Sequence, residues 1–232
     1  MKIGIISAMD SEHRQLADRL SEKKESGEGR FRYVEGLLGQ NDVVLTQCGI
    51  GKVNAAVGAA ELIRRHRPDC IVSTGVAGGI DTCLRVGDVV ASDRLVYHDV
   101  YCGNDGTSYG QVQGMPLYYE ASTPLLQHAL SLNDGAGLES SIHGGLICTG
   151  DRFVEAAAES RAISPKDWPL TWSRPPLHRR ASSMVCLSLV SASSATHREH
   201  TTTTFRSIVT SGPRWPSVRS APPGLSWKDL VR

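Results

Sequence analysis

Residues 70–80 read CIVSTGVAGGI, and this stretch predicts the fold of the chain. An apolar, β-branched run leads into closely spaced glycines, which is typical of a buried parallel strand that ends in a tight loop. In open α/β sheets, ligands bind just beyond the carboxyl ends of such strands, although many similar loops only reverse the chain. The glycine spacing is G-x-x-G-G rather than G-x-G-x-x-G, which disfavours a dinucleotide-binding fold.

Length, charge and cysteine content restrict the class of protein. The chain has 232 residues, enough for one large α/β domain or for one domain with an appendage. Its net charge of +1 gives no electrostatic reason to expect nucleic acid or an anionic membrane as a partner. The six cysteines form no C-x-x-C pair, which argues against a zinc or redox site and favours a reducing compartment. The amino terminus does not resemble a signal peptide and no stretch is long enough to span a membrane, so we expect a cytoplasmic protein.

Apolar patterns along the chain alternate between strand and helix periodicity. The pattern predicts a helix that begins near Asp10 and Ser11, and an antiparallel strand pair on either side of the turn at residues 39–41. Further predicted strands span residues 2–7, 86–92, 94–97 and 145–148, and further predicted helices follow the glycine turn at 48–53 and cover residues 124–132. Strands that alternate with helices indicate an α/β fold with a mostly parallel or mixed sheet.

Several segments occur together in an order that resembles one family. They are KIGIISAMDSE at 2–12, CGIGKVNAA at 48–56, STGVAGGI at 73–80, VGDVVASDRLVYHDV at 86–100 and TGDRFV at 149–154. Together they resemble the 5′-methylthioadenosine/S-adenosylhomocysteine nucleosidases of the nucleoside phosphorylase superfamily. The resemblance implies a three-layer α/β/α fold around a central mixed, partly closed sheet. It also implies a homodimer that acts on a small adenine nucleoside without a cofactor.

The chemistry of that family needs a base that activates water, an acid that protonates the purine, and groups that hold the ribose. The family hydrolyses the N-glycosidic bond of 5′-thio-substituted adenosines through an oxocarbenium-like state. By the resemblance, Glu12 corresponds to the catalytic glutamate that activates water. The alternative interpretation of Glu12 is that an acidic residue in the first turn of a helix interacts favourably with the helix dipole.

The resemblance also implies five substrate-binding residues. Ala77 and Gly78 correspond to the loop that lines the nucleoside, where small residues let the backbone approach the sugar. Phe153 and Val154 correspond to the adenine site, although Phe153 is equally explained by core packing. Ile50 corresponds to a residue near the 5′-alkylthio group, or else it packs at the start of the following helix.

Residues 98–115 carry features that look functional but are expected to be structural. The adjacent pair His98 and Asp99 resembles metal ligands, but without further ligands such a pair seldom binds a metal, and we expect no metal site. In the family this segment leads to a loop near the dimer interface. Tyr109 and Met115 lie in that loop and are expected to help close the pocket of the partner.

The composition changes after about residue 160. We therefore divide the chain into an incomplete nucleosidase-like domain, residues 1–160, and an aberrant tail, residues 161–232. The tail is rich in Ser, Arg, Pro and Thr, and it contains all four tryptophans of the chain. It reads as a disordered basic extension, which leaves the C-terminal elements of the fold missing or disordered.

The genetic code offers a sharper explanation of the tail. In a frame shifted by one base, the codons from Leu170 to Ser173 permit Asp-Met-Glu, and those from Ser193 permit Ile-Ser-Asp. These are the carboxylate motifs that the family uses to hold the ribose and to protonate the purine. We therefore hypothesise a frameshift between residues 154 and 163. As printed, the chain lacks the acid, which costs about two to four orders of magnitude in rate.

Two classes of alternative remain open at this point. One is another superfamily enzyme, a nucleoside phosphorylase or a futalosine hydrolase, and dependence on inorganic phosphate separates a phosphorylase from a hydrolase. The segment around Glu12 offers no arginine cradle for phosphate, which favours water as the nucleophile. The other alternative is an inactive remnant that binds a nucleoside or only dimerises.

Overall fold

A computed structural model describes residues 1–77, 84, 88–103, 106–134, 141–152 and 186–192. Within these residues nine strands form one mixed sheet in the order β2-β3-β4-β1-β5-β9-β6-β7, and β8 also pairs with β6. The strands are β1 Lys2–Ser7, β2 Ser21–Glu28, β3 Phe31–Leu38, β4 Asn41–Gln47, β5 Cys70–Val76, β6 Asp88–Tyr97, β7 Tyr119–Glu120, β8 Ile142–Thr149 and β9 Cys186–Ala192. The helices are α1 Asp10–Ala17, α2 Lys52–His66 and α3 Thr123–Ser131, the last followed by a 3₁₀ turn Leu132–Asp134.

Alternating side chains of the central strands give the fold its three layers. Ile3 and Ile5 of β1 pack on one face of the sheet in a cluster with residues of α1 and α3. Ile6 faces the opposite side, where it packs with Ala59 and Leu62 of α2. Successive side chains of a strand point to opposite faces, so an apolar run such as that of β1 is buried on both sides. The α/β/α fold class expected from the sequence is confirmed.

Most predicted elements are present with changed boundaries, such as β8, which was predicted at 145–148 and spans Ile142–Thr149. The two strands predicted at 86–92 and 94–97 correspond to the single strand β6, Asp88–Tyr97, whose register shifts between Ser92 and Arg94 because a bulge interrupts the pairing. The first helix begins at Asp10 after Met9 and ends at Ala17. Leu20, three positions beyond the end of the helix, is also buried in the core.

Strand β2 is an element that the sequence pattern did not predict. Its residues SEKKESGE are polar and almost all exposed, so they lack the alternation that marks a half-buried strand. The strand pairs antiparallel with β3 alone and forms one edge of the sheet. Charged residues are common on such edge strands because they discourage pairing with other chains.

The tail, whose composition predicts a disordered extension, contributes one strand to the sheet. Strand β9 pairs parallel with β5 and antiparallel with β6, so it lies between them inside the sheet. Its sequence CLSLVSA is apolar enough to suit a central strand flanked by two others. The other residues of the tail lie outside the described residues, and the boundary at residue 160 stays a prediction.

Among the described residues, no helix has both the length and the apolar character needed to cross a membrane.

Candidate active site

The carboxylate of Glu12 is held by three backbone N–H groups from two parts of the chain. Its Oε2 accepts hydrogen bonds from the N–H groups of Ala8, at 3.1 Å, and Met9, at 3.0 Å. Its Oε1 accepts a hydrogen bond from the N–H of Val76, at 3.1 Å, at the end of β5. These bonds fix the orientation of the carboxylate at the carboxyl ends of two central strands.

The sheet topology explains why these groups meet. Strands β1 and β5 are parallel neighbours, so their carboxyl ends lie at the same edge of the sheet. Helix α1 begins shortly after β1 and points Glu12 at the end of β5. A Cβ atom on Gly75 would lie 3.0 Å from the Oε1 atom of Glu12, so glycine there leaves room for the carboxylate. A local role at the helix start explains the bond from Met9 but not the bond from Val76.

Ala77 and Gly78 were predicted to line the nucleoside. Ala77 directly follows Val76 and is buried with Val90, Leu95 and Ile147. Its side chain therefore belongs to the core, while its backbone lies next to the contact between Val76 and Glu12. Gly78 lies outside the described residues, and the roles of both residues stay predictions.

Ile50 lies in the loop between β4 and α2, beside the loop that precedes Glu12. The two loops are joined by a hydrogen bond from the N–H of Cys48 to the carbonyl oxygen of Ser7, at 2.9 Å. Gly49 and Gly51 adopt φ values of +91° and +102°, which favour glycine and shape the turn around Ile50. The side chain of Ile50 is 57% exposed and is therefore accessible to a ligand.

Phe153 and Val154, which were predicted to contact the base, lie outside the described residues. The segment that leads to them, residues 141–152, is described. Asp151, at the exit of β8, accepts a hydrogen bond from the backbone N–H of Lys52 at 2.7 Å. Asp99 accepts hydrogen bonds from the Nζ of Lys52 and from the backbone N–H of Asp151, both at 2.6 Å. We call Lys52, Asp99 and Asp151 the Lys52 cluster.

Sequence reasoning singled out all three motifs that supply this cluster but gave its polar side chains no role. Asp99 was considered only as a possible metal ligand beside His98. Burial opposes the charged form of Asp99, but the hydrogen bonds from Lys52 and from the N–H of Asp151 outweigh it and lower the pKa of Asp99. Burial lowers the pKa of His98, which favours its neutral form. In the described part of the chain, no group of His, Cys, Asp and Glu residues is arranged to hold a metal ion.

Comparisons with known proteins show the family to which the chain belongs. The sequence pattern of the phosphorylase superfamily matches residues 2–168. A 5′-methylthioadenosine/S-adenosylhomocysteine nucleosidase of Exiguobacterium is 42% identical over 154 residues, which cover 66% of each chain. The nucleosidase of the same name from Staphylococcus aureus is 38% identical over 161 residues, which cover 69% of this chain and 70% of the relative. The chain thus spans about two thirds of the length of the curated relatives it matches.

Solved structures show the same similarity. The nucleosidase of Neisseria meningitidis, solved in complex with methylthio-immucillin-A, has a TM-score of 0.77 and is 28% identical, covering 91% of this chain and 99% of the other. A futalosine hydrolase variant of Helicobacter pylori has the same TM-score of 0.77 but is 21% identical, which supports only the shared fold. The chain belongs to the phosphorylase superfamily and, within it, to the 5′-methylthioadenosine/S-adenosylhomocysteine nucleosidases.

Proposed function

We propose that this chain represents a nucleosidase that hydrolyses the N-glycosidic bond of 5′-methylthioadenosine and S-adenosylhomocysteine, releasing adenine and a thioribose. The observation that carries the proposal is the position of Glu12. Its carboxylate is oriented by the N–H of Val76 at the carboxyl end of β5, which is the edge where ligands bind in such sheets. The names of the curated relatives at 38% and 42% identity support the choice of substrates.

In this proposal Glu12 positions a water molecule and takes its proton as the water attacks the anomeric carbon. The C–N bond breaks, and the bonding electrons leave with the purine, which must gain a proton. The exposed Ile50 contacts the 5′-alkylthio group, Ala77 and Gly78 bound the ribose through their backbone, and Phe153 and Val154 contact the adenine. No metal or cofactor takes part.

The printed sequence lacks the acidic residue that would protonate the purine, and we propose that a one-base frameshift removed this residue. The pairing of β9 supports this, because Ser191 lies opposite Val76, the residue whose N–H bonds to Glu12. The codon in which the shifted aspartate begins, that of Ala195, follows the last residue of β9 by three positions. Three extended residues reach about 10 Å, which is enough to bring an acid near Glu12.

Two measurements test the function and the frame. The coding DNA is resequenced across codons 150–200, and adenine release from 5′-methylthioadenosine is measured for the printed chain and for a chain with the frame restored. We expect an inserted or deleted base in the DNA, rapid release by the restored chain, and at least a hundredfold slower release by the printed chain. Rapid release by a protein whose intact mass matches the printed sequence contradicts the frameshift, and no release by either protein contradicts the nucleosidase function.

We also propose that a second copy of the chain covers an apolar surface beside the site. Val53 and Val57 are exposed on one face of α2 at 73% and 42%, and Tyr101, Tyr109 and Met115 are exposed in the loop after β6. Exposed apolar groups at this density are typical of an interaction surface. Light scattering is expected to give a dimer mass that Val53→Glu converts to a monomer, whereas Arg64→Glu near the other end of α2 leaves the dimer intact.

We place this activity in the cytoplasm and in methionine salvage, the recovery of the thioribose and adenine. The exposed thiol of Cys102, which forms no disulfide, supports a reducing compartment.

A further inference from the structure

Helix α2 begins without an N-cap side chain of its own. Its N-cap is Gly51, no acidic residue lies in its first turn, and the first N–H groups of a helix have no partner inside the helix. The carboxylate of Asp151 accepts a hydrogen bond from the N–H of Lys52 at 2.7 Å, although it lies 99 positions away in the sequence. A carboxylate at a helix amino terminus also interacts favourably with the helix dipole. Asp151 therefore acts as a cap supplied from the exit of β8.

The other members of the Lys52 cluster hold this cap in place. Asp99 receives the Nζ of Lys52 on one carboxylate oxygen and the N–H of Asp151 on the other. The side chains of Lys52 and Asp99 are only 21% and 16% exposed, so their ion pair is shielded from solvent. The Nζ of Lys52 also lies 4.9 Å from the centre of the Tyr97 ring. The cluster thus joins the ends of β6 and β8 to the start of α2.

Close packing leaves little freedom around this junction. A Cβ atom on Gly150 would lie 2.5 Å from the Nε2 of His98 and 2.7 Å from the Cγ of Asp99. Atoms essentially never approach so closely, so only glycine lets the exit of β8 lie against the end of β6. The N–H of His98 also donates to the carbonyl oxygen of Thr149 at 2.9 Å. Backbone and side-chain contacts therefore both fix residues 149–152.

We propose that Lys52 and Asp151 are positioning residues, which hold the exit of β8 at a set distance from the loop that carries Ile50. Phe153 and Val154 directly follow this exit in the sequence, and Ile50 precedes Lys52 by two positions. The cluster thus fixes the spacing between the part of the site that receives the base and the part that receives the 5′ substituent. This consequence for ligand binding rests on the proposed function, whereas the junction itself does not.

Amide hydrogen exchange of the full chain tests the junction without a ligand. Lys52→Met and Asp151→Ala are expected to speed the exchange of the Asp151 and Lys52 amides by about tenfold or more, because each removes a charged hydrogen-bond partner. Lys52→Arg keeps the cation and is expected to restore slow exchange. Glu61→Gln, which weakens two ion pairs near the other end of the same helix, those with Arg64 and Arg65, is the matched control and is expected to leave both amides unchanged.

Calorimetry with adenine tests the effect on the site. We expect Lys52→Met to weaken adenine binding about tenfold while Glu61→Gln leaves it unchanged. Unchanged exchange at Asp151 and Lys52 overturns the proposal, as does a uniform rise that extends to core amides such as that of Val44, because the cluster would then act only on global stability. If neither the unsubstituted chain nor the chain with the frame restored binds adenine, the proposed function fails, and hydrogen exchange still decides whether the cluster fixes the junction.

Discussion

At the scale of single residues, Glu12 shows how much a sequence pattern can and cannot predict. Family resemblance singled it out, but sequence alone could not separate a catalytic carboxylate from one that interacts with its own helix dipole. The hydrogen bond from the N–H of Val76 shows that the carboxylate also contacts a strand end 64 positions away, while the catalytic role of Glu12 stays a prediction. The Lys52 cluster went unnoticed for the opposite reason. Its members are ordinary polar residues whose meeting depends on strand ends far apart in the sequence.

Substitution of Glu12 by Gln tests its role. In a chain with the frame restored, we expect adenine release to fall by about two to four orders of magnitude, because the amide cannot take a proton from water. We also expect the free energy of unfolding to fall by about 1–3 kcal/mol, because the amide NH₂ faces backbone N–H groups that lose their acceptor. The rate of adenine release and urea unfolding measure the two effects.

Asp10→Asn is the matched control on the same helix. Asp10 forms an exposed ion pair with Arg14, whose loss is expected to change stability by less than about 1 kcal/mol and to leave adenine release unchanged. Equal rates for Glu12→Gln and Asp10→Asn contradict the catalytic role of Glu12.

At the scale of secondary structure elements, burial decides which strands the sequence reveals. Strand β1 was predicted with the observed limits because its residues are buried on both faces of the sheet. Strand β2 was missed because an exposed edge strand needs no apolar pattern. Strand β9 was missed because its apolar residues lie in a segment whose composition resembles a disordered tail. The strands that pair with β9, β5 and β6, lie far from it in the sequence, so local sequence patterns do not indicate this pairing.

The contribution of β9 is open to a direct test. Leu189 lies opposite Thr74 of β5 and Ala91 of β6, so proline at this position removes an N–H from the interior of the sheet. We expect Leu189→Pro to lower the free energy of unfolding by about 3 kcal/mol or more, measured by urea denaturation. Thr202→Pro, in the tail beyond β9, is the control. An equal and small effect of both substitutions contradicts a central position for β9.

At the scale of the whole molecule, the buried His98 and the half-buried His13 and His66 link folding to pH. Burial lowers the pKa values of His13, His66 and His98 from their ordinary value of 6.5. Between the lowered pKa values and 6.5, the unfolded chain binds more protons than the folded one, so acid favours unfolding. Asp99 affects stability in a separate, lower pH range, because its pKa in the folded state is lowered from 3.8. Its stabilising effect is lost only as the pH falls through this lowered pKa.

We therefore expect the free energy of unfolding to decrease as the pH falls below about 6.5, by at most about 1.4 kcal/mol per pH unit for each histidine. Urea unfolding at a series of pH values between 7.5 and 5 measures this slope. His98→Gln is expected to reduce this slope by up to about 1.4 kcal/mol per pH unit, which is the contribution of one proton. The contributions of His13 and His66 remain. A free energy of unfolding that stays constant or increases as the pH falls from 7.5 to 5 contradicts the expectation.

The place of β9 in the sheet also has a consequence for protein synthesis. Strands β5 and β6 flank β9, yet both precede it in the chain. At about 5–20 residues per second, a ribosome needs roughly 5–20 s to add the intervening residues, and during that interval the two strands have no partner between them. Nascent chains are therefore expected to depend on chaperones until β9 emerges, so a premature stop upstream of β9 would act first on the yield of folded protein.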